Sequence, residues 1–518
     1  MKKLLVVCMV IGLAISSVFA GGGNDGEASG GGKFSSSDSK YTQYNDQLSK
    51  PVKLFIYMLG DTPTDLKVVI DAANKQYFQP ILNCSIELVF LAWSDYQTLY
   101  PLVLTGGEDV DIIFTAPWAF YEQEAAKGSF VEITDELLTR WMPNIKAATS
   151  KIAWMQTLTN GKRYAFPTLG SGDHYKYPAI RDDLRIKYNL PEPKDWDSME
   201  SYLFTIAARE PSIQAYAAPS EAPEVFQTYF EYINVLLSED PISFAWKNVN
   251  RQEPGVNDLF FTYTSDWYRD FALEMAQWAQ NGVWSRNVMN NTVSQGDSFT
   301  QGKSASVFWN MSIYNLGETM ERNGVGKAGY YDLSPNTPAR KETYANNMWA
   351  IAASSKNKER AMLALDLMKT NDALVRLLQG GFDGRHYIST PDGRRTLGPD
   401  AEKYGYNNWG WALNSSASLD LALGPDASPQ RIANEAAIAA KLFEPKIDGF
   451  RVDQKSFQSE WAVIAALIAE YRPSFECGVF GNQTQAKFNE FKSKIEAAGI
   501  AKVTAEFKRQ YTEFLRNN

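Results

Sequence analysis

The chain has 518 residues, 44% hydrophobic and 21% charged, with 51 Lys and Arg against 60 Asp and Glu for a net charge of −9. That length exceeds one ordinary hydrophobic core, so two or more domains are expected, and the acidic balance argues against nucleic acid or an anionic membrane surface as partner. Only His174 and His386 occur, which removes HExxH and multi-His metal cages and leaves little room for a Ser/His/Asp triad; no metal, cofactor or catalytic residue is expected.

At the N-terminus Lys2 and Lys3 precede an apolar run from Leu4 to Val18, and Val18-Phe19-Ala20 offers small residues for cleavage after Ala20. This is the pattern of an export signal, and the run is too short to span a bilayer comfortably. A lipoprotein signal needs a Cys at the end of the run, whereas Cys8 sits near its start. The expectation is a periplasmic or extracytoplasmic protein, soluble after cleavage. Residues 21–50 read as a flexible leader rich in Gly, Ser and acidic side chains. Beyond the signal only Cys84 and Cys477 remain, read as separate buried thiols rather than a disulfide.

Residues 52–59 form a strand-like run, after which Thr62 suits an N-cap and Pro63 a first helical position, with Asp65 completing a capping-box-like pattern. Leu66, Ile70, Ala73 and Tyr77 follow at helical spacing. A second strand is expected over 86–91, a helix capped by Ser94 and reaching Gly106-Gly107, and a third, buried strand over 110–115. This βαβαβ pattern predicts an open α/β sheet with right-handed crossovers. Further along, Arg163–Pro167, Ser304–Trp309 and Trp349–Ala353 read as strands, and 198–209, 265–281 and 356–379 as helices. The last third is helical: Phe457, Trp461, Ile464, Ile468 and Tyr471, then Phe488, Phe491 and Ile495, then Val503, Phe507, Tyr511 and Phe514 recur at core-facing spacing.

Two glycine motifs carry no nucleotide chemistry. Gly324-Val325-Gly326-Lys327-Ala328-Gly329 matches GxGxxG but runs into Tyr330-Tyr331-Asp332-Leu333-Ser334-Pro335, which is not a helix start, and Gly302-Lys303-Ser304 lacks the first P-loop glycine, Asp297 standing there. Asp61, Asp95 and Asp173 lie in loop-like segments, so residue types alone leave a glycoside hydrolase pair open. The tryptophans say more. Trp93 and Trp118 fall just after expected strands, Trp309 closes one and Trp349 opens one, with Asn310 after Trp309 and Asn346 and Asn347 before Trp349. The carboxyl edge of an open α/β sheet is where ligands bind. Indole faces suit the C–H faces of sugars, and Asn, Asp and Arg suit their hydroxyls.

Several segments, in order, resemble the family 1 extracellular solute-binding proteins of ABC importers. They are Thr105-Gly106-Gly107-Glu108-Asp109-Val110-Asp111-Ile112-Ile113-Phe114; Gly128-Ser129-Phe130-Val131-Glu132-Ile133-Thr134; Gly161-Lys162-Arg163-Tyr164-Ala165-Phe166-Pro167; Arg181-Asp182-Asp183-Leu184 with Lys187-Tyr188 and Pro193-Lys194-Asp195-Trp196-Asp197; Gln301-Gly302-Lys303-Ser304-Ala305; and Ala353-Ser354-Ser355-Lys356-Asn357-Lys358-Glu359-Arg360-Ala361. The tail, through Phe443-Glu444-Pro445 and Gly449-Phe450, is similar to the longer LipO-like branch, although this chain lacks that branch's lipobox Cys.

The resemblance implies a two-lobed α/β periplasmic-binding-protein clamshell with mixed sheets, crossing hinge strands and a helical C-terminal region. Lobe 1 is expected over 51–167 and 344–381, and lobe 2 over 168–343 and 382–518. It implies capture of a carbohydrate, an oligosaccharide, in an interlobe cleft, and delivery by a monomer to the permease subunits of an ABC importer. By family position Trp118 faces the cleft from lobe 1, and Trp309 and Asn310 from lobe 2. Asp173, Tyr175 and Tyr177 follow the first crossover. Trp349, Arg385 and the pair Trp409 and Trp411 are further contacts. Trp93, Asp61 and Asn347 complete the candidate set from their places at strand ends. The alternatives are a secreted glycosidase or lyase, or a receptor for a non-sugar solute such as a peptide.

Overall fold

The structure, a computed structural model, describes residues 34–518 apart from 94, 173–174, 219–223, 239–241, 248–249, 292, 392, 414, 416, 419–428 and the side chains of Asn408 and Trp409. The signal, the first part of the leader, the Ser94 cap and Asp173 therefore lie outside the described residues.

The strands that organise the molecule are β1 (Val52–Leu59), β2 (Cys84–Leu91), β3 (Ile112–Thr115), β4 (Tyr177–Arg181), β5 (Ser306–Trp309), β6 (Ala328–Tyr330), β7 (Ala339–Arg340), β8 (Met348–Ile351) and β9 (Leu442–Phe443). The first sheet has the order β8-β3-β1-β2. Here β1 pairs in parallel with β2 and β3, while β8 returns antiparallel to β3, with Met348 opposite Thr115 and Trp349 opposite Phe114. β3 and β8 are buried along their length, as strands covered by helices on both faces must be. The second sheet, β5-β4-β6, is antiparallel. A further pair, β7 with β9, brings residues a hundred positions apart into register, Ala339 opposite Leu442.

Two crossovers run side by side between the sheets. Phe166 and Trp349 exchange backbone hydrogen bonds at 2.8 and 3.2 Å, Thr168 N donates to Tyr344 O at 2.9 Å, and Glu342 N to Gly172 O at 2.9 Å. The large apolar clusters separate accordingly. One joins the first sheet to the helices Lys358–Thr370 and Asp372–Gly380; another joins Trp196, Trp246, Trp278 and the C-terminal helices Gln458–Glu476, Thr484–Ala497 and Ile500–Asn517; a third lies under β5.

Three expectations are corrected. The leader does not run to 50: Tyr41 and Tyr44, on a short 3₁₀ helix Ser39–Tyr44, and Leu48 just after it are buried in the first core, with Tyr44 stacked on Trp141. The stretch after 381 does not join the second lobe at once: Tyr404, Trp411, Ala412, Leu413 and Ala417 pack in the first core. Finally, the helix after β1 begins at Leu66, not Pro63; Asp65 makes no cap, since its carboxylate accepts from Arg385 and from His386 Nε2.

Cys84 and Cys477 are buried in different cores and form no disulfide with each other, and burial pushes each thiol up to about 12. No helix among the described residues is long and apolar enough to cross a membrane.

Candidate functional site at the crossover edges

Strand direction decides which loops meet. β1, β2 and β3 run parallel and end at one edge of the first sheet, and antiparallel β8 starts there. That edge therefore gathers Gly60 and Asp61, Trp93, Trp118, and Asn346 and Asn347. It is also the edge from which the crossovers leave.

Trp93 and Trp118 are adjacent, ring centroids 6.3 Å apart and tilted by 34°. Each remains about two-fifths exposed, 43% and 41%, which is costly for so large an apolar surface unless something covers it. Trp93 stands edge-on to Tyr96 at 5.7 Å, and Trp118 leans on Phe114 at 5.6 Å. Gly60, at φ +119°, lets the chain pass against the Trp93 indole, 3.5 Å from where a Cβ would stand. The turn carrying Trp118 is tightly held: Ala119 N and Tyr121 N both donate to Ala116 O, and Thr115 Oγ1 donates to Ala119 O. Phe120 closes it at φ +64°, an unfavourable conformation for a bulky residue, supported by stacking on Tyr100 at 5.3 Å. The indole N–H of Trp118 donates to Asn346 O at 2.9 Å, so the ring is braced against the second crossover.

In the second sheet the register places Trp309 opposite Tyr177, the residue with which the chain enters β4 from the first crossover. Trp309 and Asn310 thus lie at that sheet's crossover edge. Both are half-buried, and Asn310 Oδ1 accepts from Ser312 N at 3.0 Å, which holds the turn into the helix Ile313–Arg322.

Other expected contacts are enclosed. Tyr175 is buried, its hydroxyl donating to Asp332 at 2.5 Å and accepting from Lys441 at 3.0 Å; burial and the Asp332 charge hold it far above the usual phenol range. Tyr177 is buried with its hydroxyl against that of Tyr314. Trp349 is sealed between Phe114 and Trp411, its N–H bonded to Trp411 O, and Trp411 is itself buried. In this conformation these four pack the walls rather than offer a face. Arg385 is held by Asp65 and by Asp400 at 2.8 Å. Asn347 is nearly buried, while Asp61 is exposed beyond Gly60. The side chain of Trp409 and all of Asp173 fall outside the described residues. Sequence reasoning missed Tyr96, three residues past Trp93, and Glu342, whose carboxylate accepts from Asn346 Nδ2 within the second crossover; neither stands at a strand end.

Residues 446–516 match a family described as a domain of unknown function, DUF3502. Over 483 residues the chain is 23% identical to a carbohydrate ABC transporter substrate-binding protein of Streptococcus pneumoniae serotype 4 (strain ATCC BAA-334 / TIGR4), covering 91% of this chain and 92% of that protein. It is similar in structure to the N-glycan transport solute binding protein NgtS of S. pneumoniae in complex with Man1GlcNAc, with a TM-score of 0.68, 20% identity, and 90% and 100% of the two chains covered. It is also similar to the S. pneumoniae ABC-transporter substrate binding protein FusA in complex with kestose, with a TM-score of 0.62, 16% identity, and the same coverage. The fold is thus the two-lobed α/β clamshell of solute-binding proteins, as the ordered segments implied.

Proposed function

We propose that the chain is an extracytoplasmic solute-binding receptor that holds an oligosaccharide between its lobes and presents it to the permease of an ABC importer, without catalysis. The observation that carries the reading is the exposed Trp93–Trp118 pair at the crossover edge of the first sheet, with Trp309 and Asn310 at the crossover edge of the second. Adjacent indoles offer apolar faces to successive sugar rings, and Asp61 and Asn310 offer polar partners to hydroxyls. Hinge closure about the paired crossovers would bring the two edges onto one ligand. Relatives named for carbohydrate and N-glycan transport, and one bound to kestose, support the ligand class. Cleavage after Ala20 would release the receptor unlipidated.

The test is a thermal-shift and calorimetric screen of Man1GlcNAc, larger N-glycan fragments, kestose and short peptides. Stoichiometric binding of an oligosaccharide with a rise in Tm is expected, because ligand that binds only the native state stabilises it by mass action. Shifts by peptides and by no sugar would overturn the ligand class, and release of cleaved sugar would replace receptor with enzyme.

A further inference from the structure

A cavity of about 540 Å³ opens within the second lobe, beside β7 and β9. It is lined by Asn234, Asn250, Arg251, Asn336, Thr337 and Phe443, among others, and Arg251 is the only charged residue among the described residues of that lining. Arg251 is buried, with 8% exposure. Its Nη1 donates to Asn234 Oδ1 at 3.2 Å and Val235 O at 3.3 Å, and its guanidinium stands 5.4 Å from the centre of the Phe443 ring. Among the described residues its Nε has no hydrogen-bond acceptor and its guanidinium no ion-pair partner. Glu231, behind it, is close enough to be felt but makes no salt bridge with it, and one oxygen of that carboxylate also lacks a partner. The neighbouring cations are already paired, Arg340 with Asp448 and Lys441 with Asp332. A buried guanidinium left without a carboxylate is costly. The rest of the lining adds neutral amides: Asn234 and Asn250 use their oxygens internally, toward Arg251 and toward Gln252 N at 3.1 Å, which leaves their amino groups to donate.

We propose that this cavity is a second ligand site, for a carboxylate borne by a small organic acid or an acidic sugar residue, with Arg251 as the anion-binding residue and the Asn234, Asn250 and Asn336 amides as supporting donors. One cation among neutral amides suits a monoanion better than a doubly charged phosphate, and guanidinium matches the planar carboxylate fork. The inference is independent of the oligosaccharide reading, since every lining residue belongs to the second lobe.

The test is calorimetry at low salt on the full chain with sodium glucuronate, glucose, sodium acetate and inorganic phosphate. Glucuronate should bind one per chain and glucose should not; acetate competing as well as glucuronate would assign the carboxylate to free organic acids rather than to sugars. Asn250→Asp and Asn336→Asp, both at exposed positions, should each weaken binding at least tenfold, Arg251→Gln should abolish it, and Trp118→Ala should leave it unchanged. Should Arg251→Gln fail to fold, the two Asn variants decide. Phosphate binding more tightly than glucuronate, glucose binding equally well, loss on Trp118→Ala, or indifference to both Asn variants would overturn the proposal.

Discussion

The indole nitrogen of Trp118 and the carbonyl oxygen of Asn346 are hydrogen-bonded at 2.9 Å although 228 residues separate them in the chain. The bond ties the loop after β3 to the crossover that returns to β8, so an indole still 41% exposed at the first sheet's edge is braced by a segment that links the two sheets.

Trp118→Ala should therefore weaken oligosaccharide binding at least tenfold, about 1.4 kcal/mol, while costing the ligand-free protein only about 1 kcal/mol for the lost hydrogen bond. Trp118→Phe should retain part of the affinity, and Trp93→Ala should behave like Trp118→Ala. Calorimetry with the best oligosaccharide, beside Tm without ligand, checks the separation; unchanged affinity in both alanine variants would remove the site.

Lys369 is sealed in the first core with its ammonium donating to Ala412 O at 2.7 Å, and burial pushes the amine down to about 7. Between pH 7 and the ordinary lysine value of 10.5, the unfolded amine binds a proton that the folded one does not, so stability from this group rises with pH across that window and is lowest below it. Lys369→Met should be more stable than the parent near neutrality, and the advantage should shrink toward pH 10. Denaturant midpoints of both proteins at three pH values measure the difference, which cancels other titrating groups.

Arg340 on β7 and Asp448, in the turn that opens the DUF3502 segment, form a buried ion pair, and Arg340 also donates to Leu237 O at 2.6 Å. Removing one partner strands a buried charge, so Arg340→Ala or Asp448→Ala should cost about 3–5 kcal/mol. The double variant should cost less than the sum, which a double-mutant cycle reads.

Tyr41 donates to Asp366 at 3.0 Å, and that carboxylate also accepts from Asn144 Nδ2 at 2.6 Å and Ile145 N at 2.8 Å. Tyr41→Phe should cost about 1 kcal/mol and Tyr41→Ala about 3–5 kcal/mol. A chain starting at Pro51 should unfold at lower denaturant than one starting at residue 34; equal midpoints would show that this segment contributes nothing.

Local signals in the sequence sufficed for much of this architecture. The alternation of β1, β2 and β3 with helices dictates a parallel sheet, since a crossover helix can return the chain only that way, and the order of short family-like segments carries the two-lobed fold. Strand-end position singled out Trp93, Trp118 and Trp309, because strand ends are legible from hydrophobic runs. It equally singled out Trp349, which is sealed here: whether a strand-end indole is open or sealed depends on what covers it, and Trp411, 62 residues away, covers this one. Tyr41 and Tyr44 looked like part of a leader because their partners, Asp366 and Trp141, are remote in the chain. The Arg251 cation without an ion pair is invisible in sequence for the same reason, since only folding sets it beside Phe443 and near Glu231 yet out of salt-bridge contact with that or any other described carboxylate. By itself the sequence determined periodicity, strand direction and the identity of the aromatic candidates, which follow from neighbours a few residues apart. Exposure, pairing and charge compensation were decided only by tertiary structure, because each is a property of contacts between distant segments.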